Sequence, residues 1–268
     1  MWRDAAGTLH QRAHASARIV SLVPSLTELV CDLGLAAQLV GRSGFCVHPR
    51  EALRRVPKVG GTKDVNLAKV RALAPSHVLL NIDENQEPTA AALAQFVPHL
   101  IVTHPLGPLD NPGLYRMIGG IFGREREAEA LCARFEQSFD ALARAARAWP
   151  RQRVLYLIWK DPWMTVSRDT YISRTLALAA MDTVPQNASA RYPEVTLDET
   201  SLRDAQLVLL PSEPYRFRER DAAELRALPA LRGSTVARID GEMTSWYGSR
   251  AIAAMDYLLG FRTEAAPG

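Results

Sequence analysis

The chain has 268 residues, 47% of them apolar, which suffices for one large or two modest domains with cores that need neither metal nor disulfide. Its 32 Lys and Arg stand against 29 Asp and Glu, a formal charge of +3 with no long basic run, so nucleic acid is a poor match. No apolar stretch reaches the length of a membrane span, and the three cysteines, Cys31, Cys46 and Cys132, form no CxxC pair.

Residues 1–17 place charges and histidines where a secretory signal needs an apolar core. With an odd number of thiols, this points to a cytoplasmic protein, or to a periplasmic one if the true start lies upstream. The same residues read as a mobile lead-in, as does TEAAPG at the end. Residues 18–23, RIVSLV, form a short β-branched run, and PSLTELVCDLGL follows as a helix with Ser25 or Thr27 as its cap. Strand, turn, helix is the α/β signature. Further strands are expected at 39–41, 76–82 and 100–102, with helices at 66–73, 89–96 and 113–122 and a loop over 105–112.

From Arg124 to Ala148 the apolar positions Ala128, Leu131, Cys132, Phe135, Phe139, Leu142 and Ala146 recur at three- and four-residue steps. That spacing predicts one long amphipathic helix, stopped by Pro150. Beyond it the pattern restarts: a strand at 153–158, a helix at 170–180, a lead-in over 197–204, and strands at 206–210 and 236–239. Helices at 221–227 and 250–259 complete this half. LAPSHVLLNIDEN and LRDAQLVLLPSEP each show a helix end, a buried strand and an acid just past it, a weak internal repeat. The expected organisation is a lead-in over 1–17, an α/β lobe over 18–123, a backbone helix over 124–148 and a second α/β lobe over 149–262. Ligands of open α/β sheets sit at the carboxyl ends of strands.

The unusual residues cluster in loops at those ends. The second half supplies Trp159, Trp163, Met164 and Arg168, then Arg191 and Tyr192, Glu213 and Tyr215, and Trp246, Tyr247 and Arg250. The first half supplies Phe45, Cys46, His48, Lys63, Glu84 and Asn85. Flat apolar faces give area at low entropic cost, and a few cations and amides fix orientation, which suits a large, flat, partly anionic ligand. Trp159 and Tyr156 can equally finish a core strand, and each arginine can equally serve a surface ion pair. Cys46 and His48 make a CxH pair that offers thiolate and imidazole to a metal, but two ligands are not a site. GGTK lacks the GxxxxGK[ST] pattern, and neither GxSxG nor HExxH occurs, so no nucleophile with its base is nominated.

RIVSLVPSLTELVCDLG, LVGRSGFCVHP, PKVGGTKDVNLAKVRALAPSHVLL, the long helix, RVLYLIWKDPWMTVSRDTYI and RYPEVTLDE, in that order, resemble the helical-backbone metal receptor superfamily. These are substrate-binding proteins of ABC importers for cobalamin, ferric siderophores and haem, and the cobalamin-binding branch looks closest. The resemblance implies two Rossmann-like α/β lobes bridged by one backbone helix, with the ligand in a cleft between lobes and little hinge motion. It implies stacking on loops matching residues 45–48, 60–63 (which include Thr62), 159–164 and Tyr192. It implies no catalytic residue and no cofactor of the protein's own, the ligand itself carrying cobalt or iron. Permease-docking acids would fall at Ala68 and Asp198, so with only Asp198 acidic, docking on a permease is doubtful. The reading is therefore a monomeric, non-enzymatic binding protein for cobalamin or another corrinoid, otherwise for haem or a ferric siderophore. Its alternatives are an importer-coupled periplasmic receptor and a cytoplasmic enzyme acting on a cofactor through Glu84, Glu213 or Cys46.

Overall fold

The computed structural model describes residues 1–186, 189–198, 204–231 and 233–264. Chain contacts divide it into two units. The first comprises Met1–Pro105, Leu109–Glu136 and Tyr247–Ala251, the second Leu106–Pro108, Gln137–Trp246 and Ile252–Gly268.

The first unit opens with a hairpin of β1 (Trp2–Arg3) and β2 (Leu9–His10). Four parallel strands follow: β3 (Ile19–Ser21), β4 (Leu39–Arg42), β5 (His77–Asn81) and β6 (His99–Thr103), ordered β4-β3-β5-β6. The helices are α1 (Pro24–Asp32), α2 (Arg50–Leu53), α3 (Leu67–Ala72), α4 (Glu87–Ala94) and α5 (Asn111–Ile121). Alternate strand residues face one core, where Val20, Leu22, Val78 and Leu80 meet Val59, Val70, Leu93 and Val97. Asn66 caps α3 by accepting from the Lys69 amide at 3.0 Å. Neither Ser25 nor Thr27 caps α1. Val23 holds the cap position, Pro24 fills the first turn, and Thr27 sits inside the helix, donating to the Val23 carbonyl at 2.9 Å.

Residues 1–17 depart from the expected mobile lead-in because a buried carboxylate organises them. Asp4 accepts from the amides of Ala6, Thr8 and Val102 and lies 3.0 Å from His10 Nε2. The Ala5 amide donates to Val102 at 2.9 Å, and the Ala13 amide to Ile121 at 2.7 Å. At the other end, Thr263 and Glu264 belong to the last helix, and residues 265–268 lie outside the described residues.

The second unit repeats the first sheet's connectivity. Its strands are β7 (Gln152–Trp159), β8 (Met164–Thr165), β9 (Met181–Thr183), β10 (Leu207–Pro211) and β11 (Thr235–Ile239). Four of these are parallel in the order β9-β7-β10-β11, so in both sheets the first of the four parallel strands lies between the second and the third. The short β8 adds antiparallel to the carboxyl half of β7, on residues that β9 does not reach. The helices are α7 (Tyr171–Leu178), α8 (Glu219–Arg226) and α9 (Gly241–Ser245), and the last helix, α10 (Arg250–Glu264), runs across the division between units. The core is built on Leu155, Leu157, Val208, Leu210, Phe217, Leu225 and Val236. Of the expected lead-in 197–204, residues 199–203 lie outside the described residues.

The long helix is α6, Glu125–Ala146. Its 22 residues run about 33 Å, and the division between units falls within it, after Glu136. The expected stripe is buried at Ala128, Leu131, Cys132, Phe135 and Leu142. In the first unit α6 approaches α5 closely at Gly119, where a Cβ would stand 2.6 Å from that of Ala128. Phe135 meets Tyr115 edge to face at 6.5 Å, and Tyr115 donates to the Gly248 carbonyl at 2.8 Å. Removing this buried ring leaves a cavity under α5, so Phe135→Ala should cost about 3–5 kcal/mol. Denaturant unfolding, with hydrogen exchange reporting on α5 and α6, measures it, and a loss below about 1 kcal/mol would mean that the stripe does not anchor the helix.

Candidate ligand-binding site

In the first unit, the carboxyl ends of β4 and β5 deliver the loops that carry the candidate residues. After β4 the chain turns at Gly44 and Phe45, with the Cys46 amide donating to the Ser43 carbonyl at 3.3 Å; Phe45 (63% exposed) and Val47 are exposed, Cys46 is fully buried and His48 is half-buried. Arg42 fixes this loop from below, with Nη1 donating to the Ser43 and Cys46 carbonyls at 3.3 and 2.7 Å. The Phe45 ring lies on the glycine turn that follows, because a Cβ at Gly61 would stand 3.3 Å from it. Gly60 has φ +111°, and a Cβ there would come within 2.3 Å of the Asp64 carbonyl, so only glycine allows this turn. Thr62 is half-buried and Lys63 exposed on the same turn. Asn85 joins the two loops, donating to the Thr62 carbonyl at 2.9 Å while its oxygen accepts from the Asn81 amide. Glu84 accepts from the Tyr247 hydroxyl at 2.8 Å. The Tyr247 phenol is pushed well above its usual pKa, first by burial and then by the Glu84 charge, so it remains a donor.

In the second unit, the ends of β7 and β10 carry a connected row of rings. Trp159 (43% exposed) meets Tyr215 edge-on at 5.5 Å, Tyr215 lies 4.7 Å from Phe217, and Phe217 stacks on Trp163 at 6.1 Å. Lys160 lies 5.4 Å over Trp163 and pairs with Asp221 and Glu224. RYPEV is laddered onto the segment after Trp163: the Thr165 amide donates to Pro193, Ser167 to Arg191 and Val195 to Trp163, at 3.0, 2.8 and 2.9 Å. This presents Tyr192, 39% exposed, with the Arg191 guanidinium 5.9 Å over its ring. Met164 is half-buried in that ladder, and Arg168 is exposed just beyond it.

Several of the expected contact residues have partners within the protein. Trp246 is buried, and its indole donates to Glu213 Oε1 at 2.5 Å. Arg250 holds both oxygens of Glu28 at 2.7 Å, a bidentate pair within the first unit. Asn85 is a staple between loops. Tyr156 finishes the core, whereas Trp159, the last residue of β7, is exposed. Cys46 is withdrawn from the site: its Sγ lies 3.0 Å from Thr27 Oγ1 and 3.1 Å from Ser43 Oγ, and burial raises its pKa. The Cys46/His48 pair therefore does not present both groups to one ion at the surface, since the Cys46 thiol is fully buried against Thr27 and Ser43. Among the described residues, no three His, Cys, Asp or Glu side chains converge as metal ligands. Sequence reasoning passes over Val47 and Ile82, both exposed at the first edge, and Phe217, the buried link in the ring row. Their only signal is alternation at a strand end.

The model of the periplasmic binding protein family matches residues 19–238, and the chain belongs to that family. It is a substrate-binding protein and not an enzyme. The vitamin B12-binding protein of Pectobacterium carotovorum subsp. carotovorum (strain PC1) is 23% identical over 202 residues, 75% of this chain and 73% of that one. The crystal structure of the periplasmic vitamin B12 binding protein BtuF of Vibrio cholerae superposes with a TM-score of 0.79 at 19% identity, covering 92% of this chain and 97% of that one. The periplasmic heme binding protein HutB of Vibrio cholerae gives 0.78 at 20% identity, covering 94% and 100%.

The cytoplasmic placement is corrected by this membership, since the family and both of these solved structures are periplasmic. The thiols explain how the sequence misleads. Cys46 and Cys132 are buried, and Cys31 is half-buried with its pKa pushed up to about 11 by burial, Asp32, Glu28 and Cys46. Burial and neutrality protect these cysteines in any compartment. Among the described residues no helix is long and apolar enough to cross a membrane.

Glu213 offers a direct test of the second unit's electrostatics. Its carboxyl pKa is raised, chiefly by burial and further by Glu242 and Asp240, against the opposing hydrogen bonds from Trp246 and Ser245. A carboxyl raised on folding favours the folded state at pH below its unfolded value, and that contribution is lost as pH climbs through the folded value. Glu213→Gln keeps an oxygen for Trp246 and Ser245 and removes the charge. It should raise the thermal midpoint at about pH 7 and leave it unchanged at about pH 4. Equal shifts at both pH values in a fluorescence melt would contradict the buried charge.

Proposed function

We propose that this protein is a periplasmic receptor for cobalamin or a related corrinoid, held by stacking on exposed aromatic faces at the carboxyl edge of each sheet. The observation that carries the reading is the shared placement of Phe45 on one sheet's edge and Trp159 and Tyr192 on the other's, with Lys63, Arg168 and Arg191 beside them. Aromatic faces exposed in company with a few cations are the lining that pockets for flat organic ligands use. The curated relatives named as vitamin B12-binding proteins support the corrinoid over other flat ligands.

A second reading is haem, supported by the heme binding protein that shares the fold and by His48, half-buried beside Phe45. The two differ in what His48 does. Haem ligated by His48 predicts a Soret shift that His48→Ala abolishes, whereas stacking leaves His48→Ala nearly silent. Docking on a permease through paired acids is not part of the proposal, because Ala68 stands exposed on α3 where the resemblance expects an acid, leaving only Asp198.

Titration with cyanocobalamin, haemin and ferric siderophores, followed by absorbance and tryptophan quenching, tests the reading. Cyanocobalamin should bind below about 100 μM, equivalent to roughly −5.5 kcal/mol. Phe45→Ala, Trp159→Ala and Tyr192→Ala should each weaken it by about 1–3 kcal/mol. Failure of all these ligands to bind would end the proposal, and haemin binding alone would replace it with the second reading.

A further inference from the structure

The amino-terminal edge of the first unit's sheet, opposite the edge that carries Phe45, holds a separate concentration of chemistry. A cavity of about 590 Å³ opens there beside the β1–β2 hairpin. Four of the chain's 6 histidines line it: His10 and His14 from the hairpin and the segment after it, His77 and His99 from the first positions of β5 and β6. His77 and His99 are register partners with rings stacked 4.7 Å apart, and Phe122 meets His77 edge-on at 5.1 Å. Arg12 and Ser76 contribute a guanidinium and a hydroxyl. His10 and His77 are buried, His14 and His99 exposed.

Among the described residues, no carboxylate lines this cavity. The neighbouring acids are turned to other partners: Asp4 to His10 and three backbone amides, Glu125 to the Arg12 guanidinium. Arg18, beside Ser76, directs its guanidinium to the Leu73 and Ala74 carbonyls. What faces the space is thus a group of imidazoles, beside the Ser76 hydroxyl, which is bonded to Arg18 and His77, and the Arg12 guanidinium, which is paired with Glu125. As no three ligands converge on a metal position, a chelated cation does not fit it.

We propose that this cavity binds a small oxyanion of the phosphate or carboxylate class, taken up together with protons by the histidines around it. Its electrostatics favour that coupling. Burial, then His99 and His10, hold the His77 pKa down to about 4, so each proton on one imidazole opposes the next. An anion among the rings reverses that opposition, and by linkage acid must tighten the anion by the same factor. The inference stands apart from the corrinoid reading, since it uses the opposite edge of the sheet and none of the same residues.

Calorimetric titration of the full chain with inorganic phosphate, and separately with citrate, in buffers of different ionisation enthalpy tests it. At about pH 6 at least one of the two should bind with a dissociation constant on the order of 1 mM, about tenfold weaker at about pH 8, with net proton uptake. Phosphate alone or citrate alone identifies the class. His14→Ala and His99→Ala, both exposed and so tolerated by the fold, should each weaken binding about threefold or more while cyanocobalamin affinity stays unchanged. Absence of binding at the lower pH, binding without proton uptake, or binding indifferent to both variants would overturn the proposal.

Discussion

In a parallel sheet every strand hands the chain over at the same edge, and the order of the strands decides which of those handovers lie side by side. Both sheets here place the first of their four parallel strands between the second and the third. The chain leaves the first and third strands toward opposite flanks, which opens a gap at their carboxyl ends. The loops after β5, and after β7 and β10, sit at these gaps. Glu84 and Asn85 in the first unit, and separately Trp159, Trp163, Glu213 and Tyr215 in the second, are thereby brought to a sheet edge by topology before any particular side-chain interaction is considered.

That constraint is also why the fold is readable from the sequence. β-branched runs such as RIVSLV and HVLL, the cap at Asn66 and the apolar stripe of α6 are local signals, each sufficient for its own element. The internal repeat is legible for the same reason, because LVLL and HVLL mark the third of the four parallel strands in each unit. Where a feature depends on distant residues, the sequence loses it. Nothing within RIVSLVPSLTEL says that Pro24 displaces Ser25 from the cap, or that MDT forms β9. The N-terminal hairpin depends on Asp4 reaching the amide of Val102, 98 positions away.

The site divides along the same line. Residue types and their placement at strand ends are legible, so the clustering of aromatic and cationic residues is found. Individual roles are not. Trp246 and Glu213 are 33 positions apart, Tyr247 and Glu84 163, and Arg250 and Glu28 222. Each of these partnerships ties an expected contact residue into the scaffold. Cys46 fails for a more local reason: the turn at Gly44 and Phe45 folds it back so that its thiol is buried against Ser43, three positions earlier, and Thr27. His48, two positions on, is half-buried.

The scaffold roles bear on how a ligand would be held. Stacking yields affinity only to the extent that the rings are already ordered, because immobilising a side chain costs about 0.5–1.5 kcal/mol. Trp159 is braced by Tyr215, which is braced by Phe217 and the core beneath it. Phe45 rests on a turn that only glycine permits, in a loop whose carbonyls are fixed by the buried Arg42. Tyr192 is set by a three-bond ladder to the segment after Trp163. The buried residues would therefore be what makes the exposed ones effective in the proposed role. A surface of equal aromatic area on unbraced loops would lose much of its binding free energy to ordering.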